Sequence, residues 1–142
     1  AVSAFSTYGG PVTVIDFGTA TSFDVVDIYG NYLGGVIAPG INLSLEALHM
    51  GAAQLPRVAV EETKHIIGKN TVSAIQSGVF WGYVSMIEGL SARVKEEMGC
   101  DMPIVATGGL AAIFTKSTKS IDHWDKTLTL RGLLAIFCLN EK

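Results

Sequence analysis

Between Val12 and Ala38, three runs of β-favouring residues follow one another with nothing longer than a tight turn between them. Strands joined so closely must lie antiparallel, because a parallel return needs a crossover of a dozen residues or more. The first run, VTVIDF, leads into the small-residue turn Gly18-Thr19-Ala20-Thr21. The second, about Thr21 to Ile28, alternates Phe23 and Val25 against Ser22 and Asp24 and closes at Tyr29-Gly30-Asn31. The third, Tyr32 to Ala38, carries Gly34-Gly35 inside it, where glycine weakens a strand unless another backbone or a ligand comes close. An antiparallel three-strand meander is the expectation.

The first turn also carries chemistry. It has no bulky side chain apart from Phe17, so its backbone N–H groups can approach an anion, and Thr19 and Thr21 add hydroxyl donors. A phosphate fits there. Asp16 would repel that phosphate directly, so a carboxylate in this place makes sense beside a cation, a bridging water or a proton to be moved. A metal-nucleotide site is one reading. The other is an aspartate that closes a strand and bonds the turn amides.

Beyond the meander, Pro39-Gly40 breaks the strand, and Asn42 or Ser44 can cap a helix running to about Ala53, with Leu45, Leu48 and Ala52 facing inward. Gln54 to Lys64, with Pro56, reads as a loop with at most a short strand. Asn70 or Thr71 caps the longest helix, whose apolar positions from Ile75 to Met98 recur every three or four residues up to the stop at Gly99, a span of about 40 Å. Gly78, Gly82 and Gly89 each cost that helix up to about 1 kcal/mol relative to alanine, so close packing on the sheet or on a second subunit is expected there. Met102 to Thr107 reads as a strand running into Gly108-Gly109, with a helix from Leu110 to Phe114. Strand, Gly-Gly and helix in that order resemble a nucleotide-binding turn, though a plain strand-to-helix connection reads the same way. Ser117 to Asp125 is a polar loop or short strand, and Leu128 to Leu139 a closing amphipathic helix. This order predicts an α/β domain with a ribonuclease-H-like mixed sheet, the antiparallel meander plus parallel strands, flanked by helices.

Composition closes off other classes. With 142 residues and 49% hydrophobic residues a single buried core is available. A net charge of −3 provides no basic field for nucleic acid, and the apolar run Leu133 to Leu139 is too short to span a bilayer. Cys100 and Cys138 form no CxxC pair and read as reduced, inert thiols, so a soluble cytoplasmic protein is expected. His49, His65 and His123 show no ligand spacing, and Asp24 and Asp27 read as solvated charges on opposite faces of the second strand. Trp81 and Tyr83 read as packing or interface residues rather than an aromatic platform, and Asp125, Lys126 and Arg131 as helix-start and surface charges; Trp124 has no role legible in sequence. The chain opens at Ala1 without methionine, and Ala1–Tyr8 reads as the tail of a helix, which suggests a piece of a longer protein.

Four ordered blocks, DFGTATSFDVVDIYGNYLGGVIAPGINLSLEAL, IGKNTVSAIQSGVFWGYVSMIEGL, VATGGLAAIF and LTLRGLLAI, resemble the carboxy-terminal half of type III pantothenate kinases over nearly the whole chain. Such enzymes belong to the acetate and sugar kinase, Hsp70 and actin superfamily, with two ribonuclease-H-like domains and ATP in the cleft between them. The resemblance implies that residues 1–142 are the second of those domains, without the first.

It further implies transfer of the ATP γ-phosphoryl group to the primary hydroxyl of pantothenate, the first step of coenzyme A synthesis. On this chain Gly18, Thr19, Ala20 and Thr21 match the second phosphate motif, and Asp16 would lie near Mg2+ and a monovalent cation, K+ or NH4+. Gly108 and Gly109 match the adenosine motif. Asn70 and Thr71 fall where the family's dimers approach the partner subunit's pantothenate pocket, so the resemblance implies Thr71 as a candidate substrate contact in trans and the long helix 72–98 as the expected homodimer face.

The family's Asp-X-Gly-Asn-Thr strand and its Gly-X-Asp-Arg motif, which carries the general base, do not occur here. No catalytic residue is therefore carried onto this chain, and alone it is expected not to phosphorylate pantothenate. The competing reading is a kinase-like nucleotide-binding or regulatory module without catalysis.

Overall fold

The computed structural model describes residues 1–52 and 55–141. The meander forms as expected: β1 (Val12–Phe17), β2 (Ala20–Val26) and β3 (Tyr32–Pro39) pair antiparallel, with Ile15 opposite Phe23 and Phe23 opposite Val36. Asp27 lies past the end of β2 rather than on it. Its carboxylate accepts from the backbone N–H groups of Tyr29 and Asn31, each at 2.8 Å, and so closes the β2–β3 turn instead of standing as a solvated strand charge. Gly35 is where backbones meet, since a Cβ there would fall 2.0 Å from the Phe23 carbonyl oxygen.

A crossover then returns the chain to the other side of β1. It includes α2 (Ile41–Gly51), the irregular residues 55–70 and α3 (Thr71–Met98), after which β4 (Ile104–Gly108) pairs parallel to β1. The two-residue strand β5 (His123–Trp124) extends the sheet to the order β3-β2-β1-β4-β5. Within Ser117–Asp125 only these two residues are strand and the rest is loop, and the strand places Trp124 beside Ala106, with the Lys126 ammonium 4.9 Å over its ring.

Strand alternation divides the core between two faces. On one, Ile15, Phe17, Phe23, Ile104 and Ala106 pack against Phe80, Val84 and Ile87 of α3, Ile41 of α2 and Phe114 of the single turn α4 (Ala111–Phe114). Phe114 stacks on Phe17 and Phe80, with ring centroids 5.2 and 5.7 Å apart. On the other, Val12, Val14, Val26 and Val105 meet Ala4 of α1 (Val2–Tyr8) and Leu128 of α5 (Leu128–Asn140).

Helix α3 has the sequence-predicted bounds because both ends are marked. Asn70 and Ser73 form a reciprocal capping box, and Gly99 takes a left-handed φ of 65° after the last turn. Three expectations for the helices need correction. Gly40, not Asn42 or Ser44, is the N-cap of α2, and Leu48 is 40% exposed, because Ile41 alone carries that helix's buried contact; Ala53 lies outside the described residues. The sheet does not compensate for the glycines of α3, since a Cβ on Gly78 or Gly82 would meet nothing within 4 Å. Helix α5 buries only Leu128 and leaves Leu130, Leu133, Leu134 and Phe137 exposed, since its apolar residues are spread around it rather than gathered on one inward stripe.

Candidate functional site

Because β1 and β4 run parallel as neighbours, their carboxyl ends deliver Asp16-Phe17 and Thr107-Gly108 side by side. In α/β sheets, that end of the strands is where ligands gather. Asp16 pairs with Ser22 on one side and Thr107 on the other and shares its face with Val12 and Val14, but unlike them it is only half-buried. Gly108 adopts φ 94°, and a Cβ there would lie 2.6 Å from Asp16 Oδ1 and 2.6 Å from the Phe17 carbonyl oxygen. Only glycine leaves the carboxylate its place.

The Asp16 carboxyl is pushed above its ordinary range, first by burial and then by the negative charge of Asp24. Among the described residues the ion pairs are Lys95 with Asp101 and Arg131 with Asp125, so no cation of this kind relieves it. Asp24 is engaged on its own side, accepting from Tyr32 Oη at 3.1 Å.

Beyond Phe17 the chain reverses through Gly18 and Thr19, closed by the Gly18 N–H donating to the Ala20 carbonyl at 3.0 Å. Gly18, Thr19 and Ala20 are exposed. Thr21 is not: strand alternation puts it with Phe17 and Phe23 on the opposite face from Asp16, and it is 1% exposed. Of the two hydroxyls read as phosphate donors, only that of Thr19 is open to a ligand. From the other side the Gly40 N–H donates to the Thr19 carbonyl at 3.0 Å, which ties the turn to the start of α2. Sequence reasoning saw only a strand break at Pro39-Gly40; the signal it had was a glycine next to a proline at the mouth of a hairpin.

Gly109 is exposed, and α4 after it is four residues long, so the strand, Gly-Gly and helix pattern offers close backbone approach with little helix dipole behind it. Thr71 is exposed at the first turn of α3 and is not brought to the other candidate residues. It lies about 18 Å along the helix axis from Tyr83, whose hydroxyl reaches Pro39.

No group of three or more His, Cys, Asp or Glu side chains that could hold a metal occurs among the described residues. That donor set fits Mg2+ in one way. Mg2+ keeps several waters and takes one or two carboxylates together with substrate phosphates, and Asp16 beside an open small-residue turn has that form. Two of the three histidines have structural partners, His49 Nδ1 meeting the Leu55 carbonyl at 2.7 Å and His123 stacking on Tyr8, and His65 is exposed. Both cysteines are free and exposed. Trp81 Nε1 donates to Thr63 Oγ1, and Asp125 is bonded by Tyr8 and Arg131 beside the start of α5.

A mixed sheet in this order, helices on both faces and an acidic strand end beside a small-residue turn, defines a ribonuclease-H-like α/β domain. A crystal structure of a protein described as a Baf family transcriptional activator, from Campylobacter jejuni, has this fold. It superposes with a TM-score of 0.66 at 23% identity, covering 98% of this chain and 62% of that one. The family model for type III pantothenate kinase matches residues 1–93. Proteins named type III pantothenate kinase are 64% identical over 141 residues in Paramagnetospirillum magneticum, 59% over 141 in Rhodospirillum rubrum and 56% over 142 in Caulobacter vibrioides. Each alignment covers 99% of this chain and 54%, 55% and 54% of the respective relative. The chain belongs to the type III pantothenate kinase family and spans about half the length of these relatives. No helix among the described residues is long and apolar enough to cross a membrane.

Proposed function

We propose that this chain is the second ribonuclease-H-like domain of a cytoplasmic kinase that moves the γ-phosphoryl group of ATP to pantothenate, and that it supplies the half of the cleft that grips the nucleotide. The observation that carries this reading is the half-buried Asp16 carboxylate, without a cationic partner among the described residues and walled by Gly108 at the mouth of an open turn. Family membership supplies the reaction.

In this reading the Gly18–Thr19–Ala20 backbone binds the phosphates, with Thr21 bracing the turn from within the sheet, and Gly108 and Gly109 let the adenosine lie against the strand end. Asp16 holds Mg2+, with K+ or NH4+ nearby; the metal, when bound, neutralises charge on the phosphate oxygens. Thr71 contacts pantothenate bound to a second subunit across a homodimer face on α3. The general base belongs to the part of the relatives' length that this chain does not span.

The test is a chimera in which this chain replaces the matching 141 residues of the Paramagnetospirillum magneticum relative. It should phosphorylate pantothenate with ATP, while the chain by itself should not. Asp16→Ala in the chimera should lower kcat more than it weakens MgATP binding, because the charge it supports matters most as the phosphoryl group moves. A folded chimera that binds ATP without turnover would overturn the kinase reading in favour of a regulatory module. Turnover by the isolated chain would refute the division of labour.

A further inference from the structure

The turn read above as the phosphate grip is not held by the hairpin alone. A continuous line of contacts leads to it from α3. The Tyr83 hydroxyl donates to the Pro39 carbonyl at 2.6 Å and lies 2.8 Å from Ser44 Oγ, so it ties the last residue of β3 to the first turn of α2. Gly40 stands between those two anchors. Its N–H donates to the Thr19 carbonyl at 3.0 Å, and a Cβ on it would fall 2.1 Å from that oxygen and 2.7 Å from the Gly18 carbonyl oxygen. Both obstacles are backbone. The corner therefore has no slack, and a shift of Pro39–Ser44 must be passed to Gly18 and Thr19.

Tyr83 is placed for this and not for packing alone. The residue is 9% exposed and its ring lies 6.1 Å from that of Phe114, a role phenylalanine would fill equally well. The hydroxyl is the part that reaches beyond the core, and both its partners belong to the corner.

We propose that the Tyr83 hydroxyl is a positioning residue for the Gly18–Thr21 turn, acting through the Pro39–Gly40 corner. The proposal rests on the reading of that turn as the nucleotide-phosphate grip. It assigns to α3, the helix read as the subunit interface, a direct hold on the turn. Tyr83 touches no ligand itself. What it fixes is the distance between the turn amides and the Asp16 carboxylate across the strand end.

The experiment compares Tyr83→Phe, Gly40→Ala and their combination in the active chimera. Readouts are KM for MgATP, KM for pantothenate, kcat, thermal midpoint and the amide NMR signal of Thr19 in protein labelled with 15N-threonine. Tyr83→Phe should raise KM for MgATP about fivefold, the equivalent of one hydrogen bond, and leave KM for pantothenate unchanged. It should also move the Thr19 amide signal while unfolding stays cooperative. Gly40→Ala should give the same split between the two KM values, and the double variant should be less impaired than the product of the single effects, because both act on one corner. An unmoved Thr19 signal in Tyr83→Phe would overturn the proposal whatever the kinetics show. Equal changes in both KM values with a lowered thermal midpoint would do the same, because they would mark Tyr83 as a packing residue. A moved Thr19 signal with unchanged KM for MgATP would uphold the positioning and refute the phosphate reading beneath it.

Discussion

Gly108 stands against Asp16 so closely that a Cβ on the glycine would lie 2.6 Å from Oδ1, and its φ of 94° is one that side chains rarely adopt. Gly109, its neighbour in sequence, has open space around it. The two glycines read alike and are held for different reasons. Gly108→Ala should cost about 1–3 kcal/mol from backbone strain and push the carboxylate aside. Gly109→Ala should stay within about 0.5 kcal/mol of the parent. Urea unfolding of the two variants checks this, and similar losses at both positions would contradict it.

Asp16 should make the protein less stable at neutral pH than a neutral residue in its place. Burial raises its folded pKa above the ordinary 3.8, so in the window just above that value the native state holds a proton the unfolded chain has released. Stability falls as pH rises through that window, and the cost persists above it. Asp16→Asn should therefore raise the thermal midpoint at pH 7, with the gain shrinking as pH drops through that window and gone below 3.8. Taking the difference from the parent at each pH cancels the opposite contributions of Asp27 and Asp101, whose carboxyls are held low by Asn31 and by Lys95 respectively. A destabilised Asp16→Asn at pH 7 would show that the carboxylate has a partner after all.

Local signals were legible wherever one residue type answers to one backbone need. The meander, a cap at Asn70 or Thr71, the stop at Gly99 and the close approach within Gly34-Gly35 could each be anticipated from spacing and turn chemistry, whereas the answering bond from Ser73 could not. What depends on two distant segments meeting could not. Nothing in the sequence says that Gly40 lies on Thr19 or that Tyr83 reaches Pro39. The inward turn of Thr21, by contrast, follows from the alternation that puts it on the face of Phe23 and Val25, and reading it as a phosphate donor overlooked that period. For α5 the reading of an amphipathic helix counted apolar residues, but these are spread around the helix, so no single inward face stands behind the count.

Phe114 should be among the most costly residues to truncate, although its helix is only four residues long. Its ring is fully buried, stacks on Phe17 beside the turn and on Phe80 of α3, and so joins the strand end to the long helix. Phe114→Ala should lose about 3–5 kcal/mol, while Phe114→Leu, which refills most of the volume, should lose much less. Denaturant unfolding with an unchanged slope measures both; a loss below about 1 kcal/mol for Phe114→Ala would mean the site collapses without harm.

Gly78 and Gly82 separate the stability of the domain from association through α3. A Cβ at either meets nothing within 4 Å inside the chain, and glycine within a helix is disfavoured by up to about 1 kcal/mol relative to alanine. Gly78→Ala and Gly82→Ala should therefore stabilise the isolated chain, each by up to about 1 kcal/mol. If this face packs against a second subunit, the same two methyl groups stand where the partner helix must approach, and the variants should weaken dimers of the chimera in sedimentation equilibrium even as each protomer melts higher. Stabilised protomers with undiminished dimers would remove α3 as the interface.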